Sequence, residues 1–389
     1  MIEWPGARFG RQGTSGFGHG TLLLSDLAVV EVDRWETLEP LRDEWNRLLA
    51  ESAGDTPFLR HEWLGFWWKY FGAGRRLAVF LARRGPRLVA ALPLMEFRAP
   101  VAGLSVTTLQ SLTNYHSFRF NALCAPGEET ALEAIWSHLR ARKRRWDVVR
   151  LEEVPADAPA LAPFLRAARR DGSPVGAWLG ARVPYLPTEG TWDEYRASLS
   201  KNMRANLRKK DRRLREEGEV RYRCVSAPAD VSAALEVGLK LEGSGWKAAQ
   251  GSAIISDPTL TGFYTEWAAV AAAHGWLRLS FLDVAGTPVA FDFSTLYGGR
   301  YYDLKMGYDP AWERFSVGQL LKAEILRRCF DTEAREYDFL GETMRAKDDW
   351  APRKRAHEWH FIYANTLLGR ALHFGKFTVA PLARRWLRR

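Results

Sequence analysis

A strand-like run ending at Tyr308 passes into the loop Asp309-Pro310-Ala311-Trp312-Glu313-Arg314-Phe315-Ser316, and Gly318 stands where the next helical period begins. A helix N-terminus offers unbonded N–H groups and the positive end of its dipole, so this arrangement can cradle an anion such as a pyrophosphate. An ordinary helix capped by Ser316 has the same pattern. Further on, Tyr337-Asp338-Phe339-Leu340-Gly341-Glu342, followed by Lys347 and Trp350, places an acid at the C-terminal end of a strand. Sites in α/β sheets gather there, although a solvated strand end reads the same way. Asp292 lies in the apolar run Val289-Ala290-Phe291-Asp292-Phe293. Alternation turns it away from Phe291 and Phe293. If its face of the sheet is covered, the carboxylate must be paired or its pKa rises, which makes it a candidate general base. Lys305, on the following strand, is its candidate partner.

Residues 198–215 (SLSKNMRANLRKKDRRLR) carry a narrow apolar stripe, Leu199, Met203, Leu207 and Leu214, at helical spacing. Lys201, Arg204, Arg208 and Arg212 share another face, and Gly218 is a natural stop. Such a helix can grip phosphates or lie solvated on its stripe. No stacked-aromatic signature of an RNA-binding module accompanies it. Leu241-Glu242-Gly243-Ser244-Gly245-Trp246-Lys247 brings backbone close to something, with Trp246 and Lys247 placed to flank a ligand or to anchor a loop. Among the eight histidines, His116 in Asn114-Tyr115-His116-Ser117-Phe118 is the most suggestive. The spacings HxxxH and HExxH do not occur, nor does a GxSxG elbow or a phosphate-binding GxxxxGK[ST] loop, so catalytic zinc, esterase and nucleotidase chemistries lack their signatures.

These residues sit on elements with a legible order. Helical spacing covers 35–50 and 57–71. The runs 77–83 and 87–95 form a hairpin about Arg84-Gly85-Pro86, and a loop-rich stretch follows through residue 118. A helix over 128–143, a strand over 146–151 and a helix over 159–171 complete the first half. The second half repeats the order: helices over 230–243 and 259–274, strands over 277–282, 288–297 and 300–308, a helix over 317–330 and a strand over 335–340. Gly298-Gly299 suits a type I′ turn, whose central residues both need positive φ. LAVFLARRGPRLVAALPL can be laid over LRLSFLDVAGTPVAFDFS, which suggests a duplication joined near 172–186, a stretch rich in Gly and Pro.

Three widely spaced cysteines, Cys124, Cys224 and Cys329, suit neither a disulfide framework nor a zinc site, and they fit a reducing cytoplasm. The net charge of +10 invites anionic partners: nucleic acid, acidic lipid or a phosphorylated cofactor. The first 25 residues lack the apolar core of a signal peptide and read as a disordered leader. The tail 366–389 mixes apolar and basic residues. It reads as a packed terminal helix with a charged end, or as a peripheral contact with an anionic membrane.

Taken in order, SLSKNMRANLRKKDRRLREEGEVRY, LEGSGWKAAQGSAI, PVAFDFSTLYGGRYYDLKMGYDPAWERFSVGQLLKAEILRR and EYDFLGE resemble the CelD/BcsL-type acetyltransferase family, related to the Fem aminoacyltransferases. The resemblance spans about 30–365 and is most specific over 190–345. It implies an α/β (α+β) fold of two tandem GNAT domains, each a mixed, largely antiparallel sheet flanked by helices. The expected bounds are 1–25 for the leader, 26–180 and 181–365 for the two domains, and 366–389 for the tail, with the donor site in the second domain. It implies acyl transfer from acetyl-CoA or another acyl-CoA, without a metal, to an amine on a small molecule or glycan precursor, in exopolysaccharide or cell-envelope biosynthesis. By matched position Asp292 or Asp338 is the expected base, with Lys305 beside them and the thioester oxygen held by backbone N–H groups near 305–307. Phe315, Ser316, Val317, Gly318 and Gln319 are expected on the pyrophosphate. Arg204, Arg208, Trp246, Lys247 and Tyr308 are expected to line the acceptor site, which Tyr115 and His116 complete. The loop 314–319 is poorer in Gly and basic residues than the usual GNAT phosphate loop, so aminoacyl-tRNA stands as the alternative donor. A non-catalytic scaffold of a polysaccharide-synthesis complex is a third reading. The expected location is the cytoplasm, or the inner membrane face if the tail binds lipid.

Overall fold

The computed structural model describes residues 26–101, 103–244, 253–332 and 334–387. The expected leader 1–25, and Trp246 and Lys247, lie outside them. The strands, in chain order, are β1 (Leu27–Val32), β2 (Arg76–Arg84), β3 (Arg87–Val101), β4 (Leu104–Ser111), β5 (Leu123–Cys124), β6 (Val148–Pro155), β7 (Val175–Pro187), β8 (Val220–Val225), β9 (Leu277–Val284), β10 (Thr287–Tyr297), β11 (Arg300–Tyr308), β12 (Glu336–Asp338) and β13 (Arg353–Tyr363). They form one sheet in the order β1-β2-β3-β4-β6-β13-β7-β12-β11-β10-β9-β8, with β5 attached to β3.

The order is a near-mirror of itself. Each arm is antiparallel until its last pair, β4 with β6 and β11 with β12, which run parallel. The two central strands are exchanged. β7, which follows the first half in sequence, pairs with β12 of the second, while β13, which ends the second half, pairs with β6 of the first. β7 and β13 then pair with each other and make the sheet continuous. The segment expected to join the halves is therefore itself sheet. β1, β4, β5, β7, β8 and β13 were not among the expected strands; 104–111 in particular is a strand, not part of a loop-rich stretch.

Gly298 and Gly299 both have positive φ and turn β10 tightly into β11, as the sequence suggested. Helices cover both faces. On one face, His61–Phe71 and Pro258–Ala273 pack across the two halves through Trp63, whose ring meets Phe263 at 4.9 Å and Trp267 at 4.8 Å, edge to face. The Trp63 indole N–H donates to Ser117 Oγ at 2.8 Å, so the buried ring is also satisfied in polar terms. Replacing such a side chain by Ala costs about 3–5 kcal/mol. On the opposite face, Val317–Phe330 seals a second core of Leu282, Val289, Leu320, Leu321, Ile325 and Tyr337. The basic helix Lys201–Glu216 lies over that core. Ser200 caps it by accepting from Met203 N, and Leu214 and Leu199 are buried, while Arg208 and Arg212 are exposed.

Candidate functional site

The site begins at an irregularity in β11. The β10–β11 register jumps from Phe293↔Lys305 to Ser294↔Asp303, so Leu304 is an extra residue on β11. A bulge of this kind re-aims the side chains around it. Asp303 turns toward helix Val317–Phe330 and meets Lys322, while Lys305 turns to the other face and lies 5.5 Å from the Tyr264 ring. Past the bulge, Gly307 lets the end of helix Val231–Glu242 press against the strand. A Cβ there would stand 2.3 Å from the Glu242 Cα.

β12 pairs with β11 only at Arg300–Tyr302. Beyond Asp338 the chain swings away through Leu340 and Gly341, both with left-handed φ, while β11 runs on to Tyr308. The gap between the diverging strands is a cavity of about 600 Å³, a size suited to a small-molecule site. Lys305, Met306, Gly307 and Tyr308 form one wall, and the helix start at Ser316–Gln319 another. Glu242, Asp303, Lys322, Phe339, Lys347 and Trp350 complete much of the rest.

Ser316 occupies the N-cap position with φ 55°, but its side chain makes no capping bond. Its carbonyl accepts from Gln319 N and Leu320 N. The first-turn N–H groups of Val317 and Gly318 have no intrahelical carbonyl, and they stand at the cavity wall. Gly318 keeps that approach open: an added Cβ would meet nothing nearer than Met306 Sδ and Tyr308 Cδ1, both at 3.5 Å. Trp350 donates its indole N–H to Gln319 Oε1 at 2.6 Å and so fixes the loop's end. Lys347 donates to the Leu340 carbonyl at 2.5 Å; burial lowers its pKa, against the pull of Asp303.

Behind this wall lies a buried charge network. The Lys322 ammonium stands 2.6 Å from Asp303 and 3.0 Å from Asp292, and donates to the Tyr337 hydroxyl; Ser294 donates to Asp292. Burial raises the pKa of Asp292 despite the nearby ammonium. Burial also pushes on Asp303, but the Lys322 charge overcomes it and holds that carboxyl below its usual range. Lys322 is stabilised as the cation by both acids, against its own burial. The stable ion pair is therefore Lys322–Asp303, and Asp292 is the member that most readily holds a proton.

The structure brings some of the expected residues together and separates others. Lys305, Tyr308, Ser316, Val317, Gly318 and Gln319 meet at the cavity. Phe315 is buried in the second core beside Trp312, so only its backbone adjoins the loop. Asp292 has Lys322 as its partner, not Lys305, because the bulge sends Lys305 to the opposite face. Asp338 does not line the cavity. It is fully buried, pairs with Arg119, stands 3.7 Å from Arg355, and accepts from Leu340 N at 2.9 Å. Tyr115 is exposed, and His116 is buried with Nδ1 2.9 Å from the Tyr264 hydroxyl; neither reaches the wall. Burial, helped by the charge of Lys305, lowers the His116 pKa to about 3. Arg204 and Arg208 line a separate groove on the far side of helix Val317–Phe330, beside Leu320, Glu324 and Arg327, and not the Tyr308 cavity.

Sequence reasoning missed Asp303 and Lys322, and named Glu242 only within its segment, giving the flanking roles to Trp246 and Lys247. Lys322 carried a usable signal: Gly318, Lys322, Ile325 and Cys329 fall on one helical face, so a lysine stood among residues bound for the core.

Residues 201–348 match the family model described as an acetyltransferase (GNAT) domain. That stretch holds every residue of the cavity wall except Trp350. Among solved structures, the fold is similar to that of FemX, with a TM-score of 0.55 at 10% identity over 86% of this chain and 98% of that one. It is also similar to the C-terminal domain of a putative lysylphosphatidylglycerol synthetase from Agrobacterium fabrum, with a TM-score of 0.51 at 11% identity over 85% and 93% of the two chains. A conserved protein of unknown function from Bacteroides thetaiotaomicron gives 0.51 at 12% identity over 82% and 97%. At these identities the likeness is one of fold. No curated protein matches the sequence. The cavity thus lies in a stretch similar to acetyltransferase (GNAT) domains, within a mixed α/β fold whose strand order nearly mirrors itself.

Proposed function

We propose that the protein is an N-acyltransferase that moves an acyl group from an acyl-CoA to an amine. The observation that carries this reading is the helix start at Ser316–Gln319 opening, uncapped by a side chain, onto the gap between β11 and β12. The residues present fit the donor. The N–H groups of Val317 and Gly318 suit its pyrophosphate, and Met306, Phe339, Met344 and Trp350 give its thiol arm an apolar lining. The backbone at Met306–Gly307, past the bulge, is placed to donate to the thioester oxygen as charge develops there. The acceptor must attack as a neutral amine. Glu242 is the carboxylate on the wall beside Gly307, and it takes the role first expected of Asp292 or Asp338: removing the amine's proton as the C–N bond forms and the C–S bond breaks, with the thiolate leaving. Asp303 is a poorer base, because Lys322 holds it as the anion.

The resemblance to the CelD/BcsL-type family supports an amine on an exopolysaccharide or envelope precursor as the acceptor. A transfer assay with an acyl-CoA and a panel of amino sugars tests the reading. Glu242→Gln should lower turnover by roughly 10²-fold or more while leaving acyl-CoA affinity within a few-fold. Equal turnover in the variant would remove Glu242 from the mechanism.

One observation favours a second donor. Arg314 stacks on Phe315 and pairs with Glu217 at 3.3 Å, so the loop turns no arginine into the cavity. Aminoacyl-tRNA is the alternative; activity abolished by ribonuclease, and absent with every acyl-CoA, would select it.

A further inference from the structure

After Glu358 the sequence contains no acidic residue, while Arg370, Lys376, Arg384, Arg385, Arg388 and Arg389 are basic. Past the end of β13 the chain is helical from Leu367 to Leu387: Leu367–Phe374, then a π turn over Gly375–Val379, then Ala380–Leu387. At the α-helical rise of 1.5 Å per residue the run is about 30 Å long.

Its large apolar side chains are divided between two faces. Phe377 faces the sheet: its ring is 6.0 Å from Trp178 and 5.9 Å from Phe361, and it fills the space left by Gly176. Leu367, Phe374, Val379 and Leu382 face away, at 89%, 58%, 48% and 54% exposure. In an unbroken α-helix these four would not share a face, because Val379 and Leu382 lie 12 and 15 residues beyond Leu367. The π turn takes up one extra residue and re-phases the helix. The four then fall at effective spacings of 0, 7, 11 and 14, which is one stripe. Trp178 and Leu179 add exposed apolar surface on the adjacent strand β7, where Lys376 lies 4.0 Å from the Trp178 ring.

We infer that this stripe is a docking surface for an anionic lipid bilayer, on which the terminal helix lies flat with Leu367, Phe374, Val379 and Leu382 in the interface. The charge argues for lipid over a second copy of the chain: the segment supplies six basic residues and no acid, and a copy of a protein of net charge +10 would be repelled. The inference is independent of the acyl-transfer reading, since the tail shares no residue with the cavity.

The test is co-sedimentation of the full chain with vesicles of phosphatidylcholine alone and of phosphatidylcholine mixed with phosphatidylglycerol. Binding should be confined to the mixed vesicles, fall with added salt, and drop by about tenfold or more in Phe374→Glu/Leu382→Glu, whose thermal midpoint should match the wild type because both side chains already face solvent. Arg370→Glu should weaken binding alone. Equal binding to both vesicles, no binding to either, or a dimer that Phe374→Glu/Leu382→Glu dissolves would each overturn the proposal, the last by assigning the stripe to a second copy.

Discussion

Lys322→Met is the most informative single change in the buried network. Lys322 is 5% exposed and is the cation that Asp292 and Asp303 share. Methionine preserves the length and apolar character of the stem but removes the cation that both buried carboxylates touch, leaving Asp303 only the weaker pull of Lys347. Breaking a buried pair in this way costs about 3–5 kcal/mol. In a chain of 389 residues that should lower the thermal midpoint by roughly 4–6 °C. The cost also depends on pH. Asp292 has a raised pKa in the fold, so the stability contributed by its protonated form is present at acid pH and lost as pH rises through the folded value. Asp303 has a lowered pKa, so its contribution is present above the ordinary carboxylate pKa and lost as pH falls through the folded value. Without Lys322 both acids should resist ionisation, and the deficit of the variant should be larger near pH 8 than near pH 5. Guanidinium unfolding at those two pH values reads it directly. Adding Asp292→Asn and Asp303→Asn to Lys322→Met should recover a large part of the loss, because the cost lies in the uncompensated charge. A Lys322→Met protein within about 1 kcal/mol of the wild type, or a triple variant no better than the single, would refute the reasoning.

Two glycines on the cavity should behave oppositely. Gly307→Ala forces a Cβ into the Glu242 backbone, and overpacking of this kind should cost about 1–3 kcal/mol and displace β11, seen as lowered stability and lost transfer together. Gly318→Ala meets only ordinary contacts and should leave the unfolding midpoint unchanged. His116 is held neutral by burial, with a pKa near 3, so the stability it confers is full above about pH 6.5 and is lost as pH falls toward 3. His116→Gln should flatten that acid limb in a pH series of unfolding midpoints.

The hairpin Thr287–Tyr308 was legible because Gly298-Gly299 has one structural meaning, and Asp292 because its apolar neighbours demand a covered face. β7 was hidden by its composition. Gly176 and Gly180 look like turn residues, but an added Cβ at either would stand 2.4 Å from an aromatic ring, of Phe377 and Trp359 respectively. They are there for close approach, a property of partners far away in sequence, Phe377 and Trp359. β13 reads as a charged, solvated run because Arg353, Lys354, Arg355 and Glu358 dominate it, yet Arg355 is satisfied by Glu336 and the strand sits at the centre of the sheet. The bulge at Leu304 has no signature in the residues around it, so the facing of Lys305, and with it the partner of Asp292, could not be read from alternation alone.

The central claim is that the helix start at Gly318 holds the anionic end of an acyl-CoA in the cavity beside β11. Thermal unfolding with acetyl-CoA, longer acyl-CoAs and free CoA tests it most directly, with Gly318→Leu as the blocked site. At about a hundred times its Kd a ligand stabilises the fold by roughly 2.7 kcal/mol, a shift of about 3 °C in a chain of 389 residues. The account predicts that shift in the wild-type protein and its loss in Gly318→Leu, whose midpoint without ligand stays close to wild type. No shift with any acyl-CoA, or an undiminished shift in Gly318→Leu, would contradict it.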